Sequence, residues 1–154
     1  MEKQPIDLLV TNASEVLTLS GPSRPRTGEE MSDLGIVSHG AVAIRKGKVV
    51  EVGPSSTLSR KYQAKKKVSA KGRVVSPGLV DSHTHLSFSG SRENEFEMRL
   101  KGTSYMEIAQ AGGGILSSVD HVRKASRSQI VEESRGWARR MLAHGTTTVE
   151  AKSG

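Results

Sequence analysis

Short, mainly apolar runs at residues 6–11 (IDLLVT) and 15–19 (EVLTL) predict two strands about a turn at Asn12-Ala13-Ser14. Residues 20–33, punctuated by Gly21, Pro22, Pro25 and Gly28, read as a polar surface loop. Apolar and polar residues alternate in 41–45 and 48–52 around Lys46-Gly47, a hairpin signature. A short helix follows at 56–62, and residues 67–69 and 73–75 form two further extended pieces around Lys71-Gly72.

After Pro77-Gly78 the pattern changes. Leu79 and Val80 lead into Asp81-Ser82-His83-Thr84-His85-Leu86, a short run that reads as a buried strand, followed by a glycine-punctuated polar loop. Ser104 and Glu107 form a capping box for a short helix ending before Gly112-Gly113-Gly114. The triple glycine lacks the Lys-Ser/Thr of a phosphate loop and follows no strand, so it reads as a permissive turn. Residues 116–125 are helical, and Ser126 with Gln129 caps a longer helix to Ala143. Its stripe of Ile130, Val131, Ser134, Trp137, Ala138, Met141 and Leu142 predicts one face packed on a sheet, a structural role for Trp137. Gly145 ends that helix, and Thr146-Thr147-Thr148-Val149-Glu150 enters a second strand. Strand, helices and strand make a βαβ crossover, which demands a parallel sheet.

Composition narrows the class. The chain has 154 residues, 34% apolar and 25% charged, a globular balance. No stretch is long and apolar enough for a bilayer, and the N-terminal sequence lacks the basic start and apolar core of a signal peptide. With no cysteine, any bound metal must be held by nitrogen and oxygen. The absence is compatible with the cytoplasm. A net charge of +7 invites a nucleic-acid or membrane partner. The cations are dispersed, however, their one cluster (Lys65-Lys66-Lys67) is short, and aromatics are 3%, which leaves little for base stacking. A solvated basic face or an anionic small-molecule substrate suits the composition better.

The chemistry concentrates in residues 81–105. On a strand, Asp81, His83 and His85 share one face and Val80, Ser82 and Thr84 the other. Two imidazoles two residues apart can reach one divalent ion, or each can be a hydrogen-bonded ring with no metal. Asp81 is either a carboxylate orienting a ligand imidazole or a buried, hydrogen-bonded acid. Arg92 either pairs with Glu93, Glu95 or Glu97 or grips a carboxylate with parallel hydrogen bonds. Tyr105 by itself reads as packing at a helix start. His39 in a turn, His121 in a helix and His144 at a helix end carry no chemistry on this reading.

PGLVDSHTHL, residues 77–86, resembles the first barrel strand of the metal-dependent amidohydrolase superfamily. SGSRENEFEMRLKGTSYMEIAQAGGGI, residues 89–115, resembles the imidazolonepropionase family within it, and HGTTTVEAKSG at 144–154 resembles that family's second barrel strand. The likeness covers most of the chain and is weakest in the N-terminal third. It implies an α/β protein: residues 1–75 are part of a small β-sandwich domain, and residues 76–154 open a (β/α)8 barrel with two strands and the helices between them. A whole barrel takes ~250 residues, so the chain reads as a fragment of a larger enzyme.

The resemblance further implies that His83 and His85 hold one divalent metal ion, zinc or iron, completed by a histidine and an aspartate from later strands. Arg92 would bind the propanoate tail of 4-imidazolone-5-propanoate, Tyr105 would line its pocket, and Asp81 would stand behind the ligands. The general base would lie downstream, so no catalytic group beyond the metal ligands falls in this chain. Lys152 does not match the carbamylated lysine of two-metal relatives, which belongs to a later strand. The implied enzyme is cytoplasmic, acts in histidine degradation without nucleic acid or membrane, and forms a homodimer at full length. Two other readings stay open at the level of sequence. One is a different cyclic-amide hydrolase or aminohydrolase of the superfamily, and the other is a non-catalytic basic binding module.

Overall fold

The structure is a computed structural model that describes residues 2–153. The chain divides into two units, Met1–Pro77 and Gly78–Gly154.

The first unit is built from two sheets. β1 (Gln4–Thr11), β4 (Gly40–Arg45), β5 (Lys48–Pro54) and β6 (Tyr62–Ser69) form a four-stranded sheet in the order β5-β4-β1-β6, while β2 (Glu15–Leu17), β3 (Ile36–Ser38) and β7 (Val74–Val75) form a three-stranded one. Along β4 the alternation is strict. Ala41 and Ala43 join Ile6, Leu9, Leu58 and Tyr62 in one core, under the short helix α1 (Ser55–Lys61). Val42 turns the other way and joins Ala13 and Val16, ringed by Val10, Val37, Ile44, Val52 and Val75 from both sheets and by Ala70 just past β6. That second core lies between the sheets, which makes the unit a small β-sandwich segment.

The Lys46-Gly47 hairpin is present, with Arg45 opposite Lys48 and both turn residues at positive φ, 53° and 73°. Two expectations change. The strands on either side of Asn12 do not pair with each other: Asn12 is left-handed (φ 56°) and carries the chain from one sheet into the other. Likewise β6 pairs in parallel with β1 and β7 with β2, so the two pieces around Lys71-Gly72 also part company. Tyr62 opens β6 rather than closing the helix, because its ring is buried in the core. The lysine cluster lies on β6, an edge strand, where charge discourages pairing with another chain.

The second unit is a βαβ crossover. β8 (Leu79–Ser87) and β9 (Thr146–Ser153) run parallel, joined through α2 (Glu93–Leu100), α3 (Tyr105–Gln110), α4 (Ile115–Lys124) and α5 (Arg127–Ala143). Both predicted caps are made: Ser104 Oγ accepts from Glu107 N at 3.3 Å and Ser126 Oγ from Gln129 N at 3.2 Å. Three expectations need correction. α2 occupies part of what reads as a polar loop, since it opens without a capping side chain and carries no apolar stripe to betray it. β8 is not buried: Leu79 and Val80 are 58% and 69% exposed, because among the described residues only β9 pairs with it. For the same reason the α5 stripe is only partly covered, and Val131, Trp137 and Leu142 stay exposed. Two strands with one helix on them make the opening of an α/β barrel and not a closed core.

Candidate metal and substrate site

β8 carries the two histidines on one face. The His83 and His85 rings are edge-on to each other, with centroids 5.5 Å apart and planes at 62°. Two imidazoles sharing one ion at ordinary metal–nitrogen distances hold their ring centres about 5 Å apart, so the pair fits half of a metal site. Among the described residues no third His, Asp or Glu joins them in a metal-holding group. Asp81 is half-buried on the same strand, and its Oδ1 accepts the His83 main-chain N–H at 3.2 Å rather than touching a ring.

Beyond the strand, His85, Ser87, Phe88, Arg92, Tyr105 and Ile115 are among the residues lining a cavity of about 640 Å³, with Ser118, Val119, Val122 and Arg123 of α4 completing the wall. One imidazole, two guanidiniums and a phenol thus meet a largely apolar surface, the usual composition of a small-molecule site. Arg92 stands at the N-terminal end of α2 and Tyr105 opens α3, so the cavity is held by helix starts around the end of β8. This is the C-terminal edge of the parallel strands, where active sites of α/β barrels form.

The loop that aims Arg92 is fastened on both sides. Ser89 is 4% exposed and its Oγ accepts from Gln129 Nε2 at 3.2 Å, while Gln129 also donates to Glu133 Oε1 at 2.9 Å. The hydrogen bond from Gln129, helped by Ser89 and the Gly90 amide, holds the Glu133 carboxyl below the usual glutamate range. Gly90 is left-handed (φ 80°), and a Cβ there would lie 2.7 Å from Cγ of His121, so only glycine fits. His121 thus packs against the loop, and His144 Nδ1 lies 2.8 Å from the Arg140 carbonyl at the end of α5.

Arg92 Nε donates to Glu95 Oε2 at 3.0 Å, and the other oxygen of Glu95 accepts from Gly114 N at 2.9 Å. The ion pair and the cavity position are therefore not alternatives, for the residue does both. From sequence Glu95 is only one of three candidate partners for Arg92, and Phe88 and the α4 wall carry no mark of a site. The i,i+3 spacing of Arg92 and Glu95 signals the pair once α2 is known to start there. Nothing local signals the reach to Gly114.

A family model described as the Amidohydrolase family matches residues 74–152. The chain belongs to the amidohydrolase family. Among curated proteins it is 44% identical over 151 residues to the imidazolonepropionase of Chloroflexus aggregans, covering 98% of this chain and 35% of that protein. To the imidazolonepropionase of Geobacillus kaustophilus it is 47% identical over 152 residues, covering 96% and 36%. The chain thus spans about a third of the length of these relatives. In fold it resembles an adenosine deaminase from Xanthomonas campestris solved with bound zinc, with a TM-score of 0.64 at 20% identity, over 98% of this chain and 30% of that one.

Proposed function

We propose that this chain is the N-terminal part of an imidazolonepropionase, which opens the ring amide of 4-imidazolone-5-propanoate with water to give N-formimidoyl-L-glutamate. The observation that carries the reading is one cavity shared by His85, Arg92 and Tyr105, at the end of the strand that bears the paired imidazoles. Relatives of that name at 44% and 47% identity support the choice among cyclic-amide hydrolases.

In this reading His83 and His85 hold one divalent ion, zinc or iron, with further ligands from outside these residues. The bound ion supplies Lewis acidity at the ring carbonyl that water attacks. Arg92 binds the propanoate carboxylate through parallel N–H donors, which fixes the ring's distance from the imidazoles. Tyr105 offers a phenol to the polar edge of the ring, and Phe88, Ile115, Val119 and Val122 exclude water around its face. Asp81 steadies the strand at His83 through the main-chain amide. The pathway is histidine degradation in the cytoplasm, with a small anionic substrate, no nucleic acid or membrane partner, and a homodimer at full length. No helix among the described residues is long and apolar enough to cross a membrane.

The test follows the reading frame past Gly154 and assays its product on 4-imidazolone-5-propanoate, dihydroorotate and adenosine. Metal-dependent opening of the first substrate alone, lost in His83→Ala, is the expected result. Preference for either of the others overturns the assignment. The 154-residue chain by itself is expected to show no turnover, since His83 and His85 supply only part of a metal site.

A further inference from the structure

The guanidinium of Arg92 has two hydrogen-bonding edges, and only the one at Nε is occupied among the described residues. Its partner, Glu95, is largely withdrawn from solvent (15% exposed), whereas Arg92 keeps 43%. The two carboxylate oxygens of Glu95 go to two donors on different elements: Arg92 Nε at the start of α2 and the Gly114 amide just before α4. Gly113 lies so close that a Cβ there would meet Glu95 Oε1 at 3.0 Å. The carboxylate is thus walled in on one side, held by a main-chain N–H on another, and presents one oxygen to the arginine.

From this bridge we infer that Glu95 is the positioning residue for Arg92: it pins the guanidinium at Nε and leaves the Nη1–Nη2 fork to the cavity. The inference rests on Arg92 being the site of the substrate carboxylate. A carboxylate at 95 is required because it alone accepts at both oxygens. Glutamine has one acceptor oxygen, so it satisfies either Arg92 or Gly114 and turns an N–H against the other. Aspartate is one methylene short of spanning both. The bridge also couples two cavity walls, because Gly114 precedes Ile115 and a Cβ on it would sit 3.4 Å from the Tyr105 hydroxyl.

The test uses the full chain and two probes, 3-(imidazol-4-yl)propanoate and its uncharged primary amide, titrated by NMR shift perturbation. The wild type is expected to prefer the carboxylate by about tenfold, the scale of a charge-assisted hydrogen-bond pair. Arg92→Ala should abolish that preference. Glu95→Gln should cut it several-fold while leaving amide binding unchanged, and should add nothing in the Arg92→Ala background. A wild type without carboxylate preference overturns the Arg92 assignment itself. A preference that Arg92→Ala removes and Glu95→Gln leaves intact overturns only the positioning role, as does an equal loss of both probes. Should Glu95→Gln fail to fold, exchange in the wild type decides: slowed Arg92 Nε–H and Gly114 N–H support the bridge, and fast exchange at either overturns it.

Discussion

The indole of Trp137 lies against the ring of Phe88, with centroids 6.1 Å apart and planes inclined by 22°. Phe88 lines the cavity and Trp137 belongs to α5, so this stack joins the site to the helix that packs on the strands. Arg140 covers the indole, its guanidinium carbon 4.7 Å from the ring centroid. The residue read from sequence as simple packing is thus a support for the site.

Trp137 is the only tryptophan in the chain, so its emission reports on Phe88. Filling the cavity with 3-(imidazol-4-yl)propanoate should shift or quench that emission. Trp137→Ala should cost about 1–2 kcal/mol, an aromatic pair and a partly exposed packing surface, measured by urea unfolding. Arg140→Ala should cost less, about 0.5–1 kcal/mol. An unchanged midpoint in Trp137→Ala would show the stack to be incidental.

The histidine pair makes the opposite prediction. Both rings are exposed and contribute little packing, so the double change His83→Ala, His85→Ala should leave stability within about 0.5 kcal/mol of the wild type. Cobalt or zinc binding by the full chain, followed by absorbance or calorimetry, should vanish in the same variant. A large drop in melting temperature with metal binding retained would mean the pair is structural and the ion sits elsewhere.

Signals confined to a few residues were legible in the sequence. The Lys46-Gly47 hairpin, the caps at Ser104 and Ser126, and the facing imidazoles each rest on neighbours no more than three residues apart. Sheet membership did not show, because the pairing of Gln4 with Tyr62 is decided 58 residues away by packing. α2 was hidden for a different reason. Its apolar residues, Phe96, Met98 and Leu100, fall at every second position, so the sequence pattern does not show a helical period there. The Glu95 bridge to Gly114 crosses 19 residues between two helix starts and follows from the fold alone.

The first unit should show its own acid sensitivity. Glu51 accepts from Lys61 Nζ at 2.6 Å and from the Tyr62 hydroxyl at 2.6 Å. The lysine foremost, then the tyrosine, lower the Glu51 carboxyl below its ordinary value of 4.5. A carboxylate whose pKa falls on folding contributes stability that is present above the unfolded value and lost as pH drops through the folded one. Stability of residues 1–77 should therefore decline below pH 4.5 as Glu51 takes up its proton. Glu51→Gln removes that titration and should flatten the decline, read by circular dichroism as the pH is lowered through 4.5 and below it. An identical acid slope in wild type and variant would remove Glu51 from the account.

The β8–β9 pair sets the last expectation. Leu79 and Val80 are 58% and 69% exposed on a two-stranded parallel ribbon, and each strand has one edge without a partner among the described residues. Parallel sheets are ordinarily covered on both faces, so a bare apolar strand with an open edge is a template for another chain. The 154-residue chain by itself should therefore self-associate with rising concentration, seen as light scattering that grows with time. Val80→Lys places a charge on the exposed strand at little cost to folding, because the valine packs against little, and it should suppress the scattering. Lys66→Glu on the β6 edge of the first unit serves as the comparison. If the open ribbon drives association, the change at Val80 acts and the change at Lys66 does not. Val80→Lys raises the net charge of +7 and Lys66→Glu lowers it, so scattering that falls with the first and rises with the second would instead point to net charge as the controlling quantity.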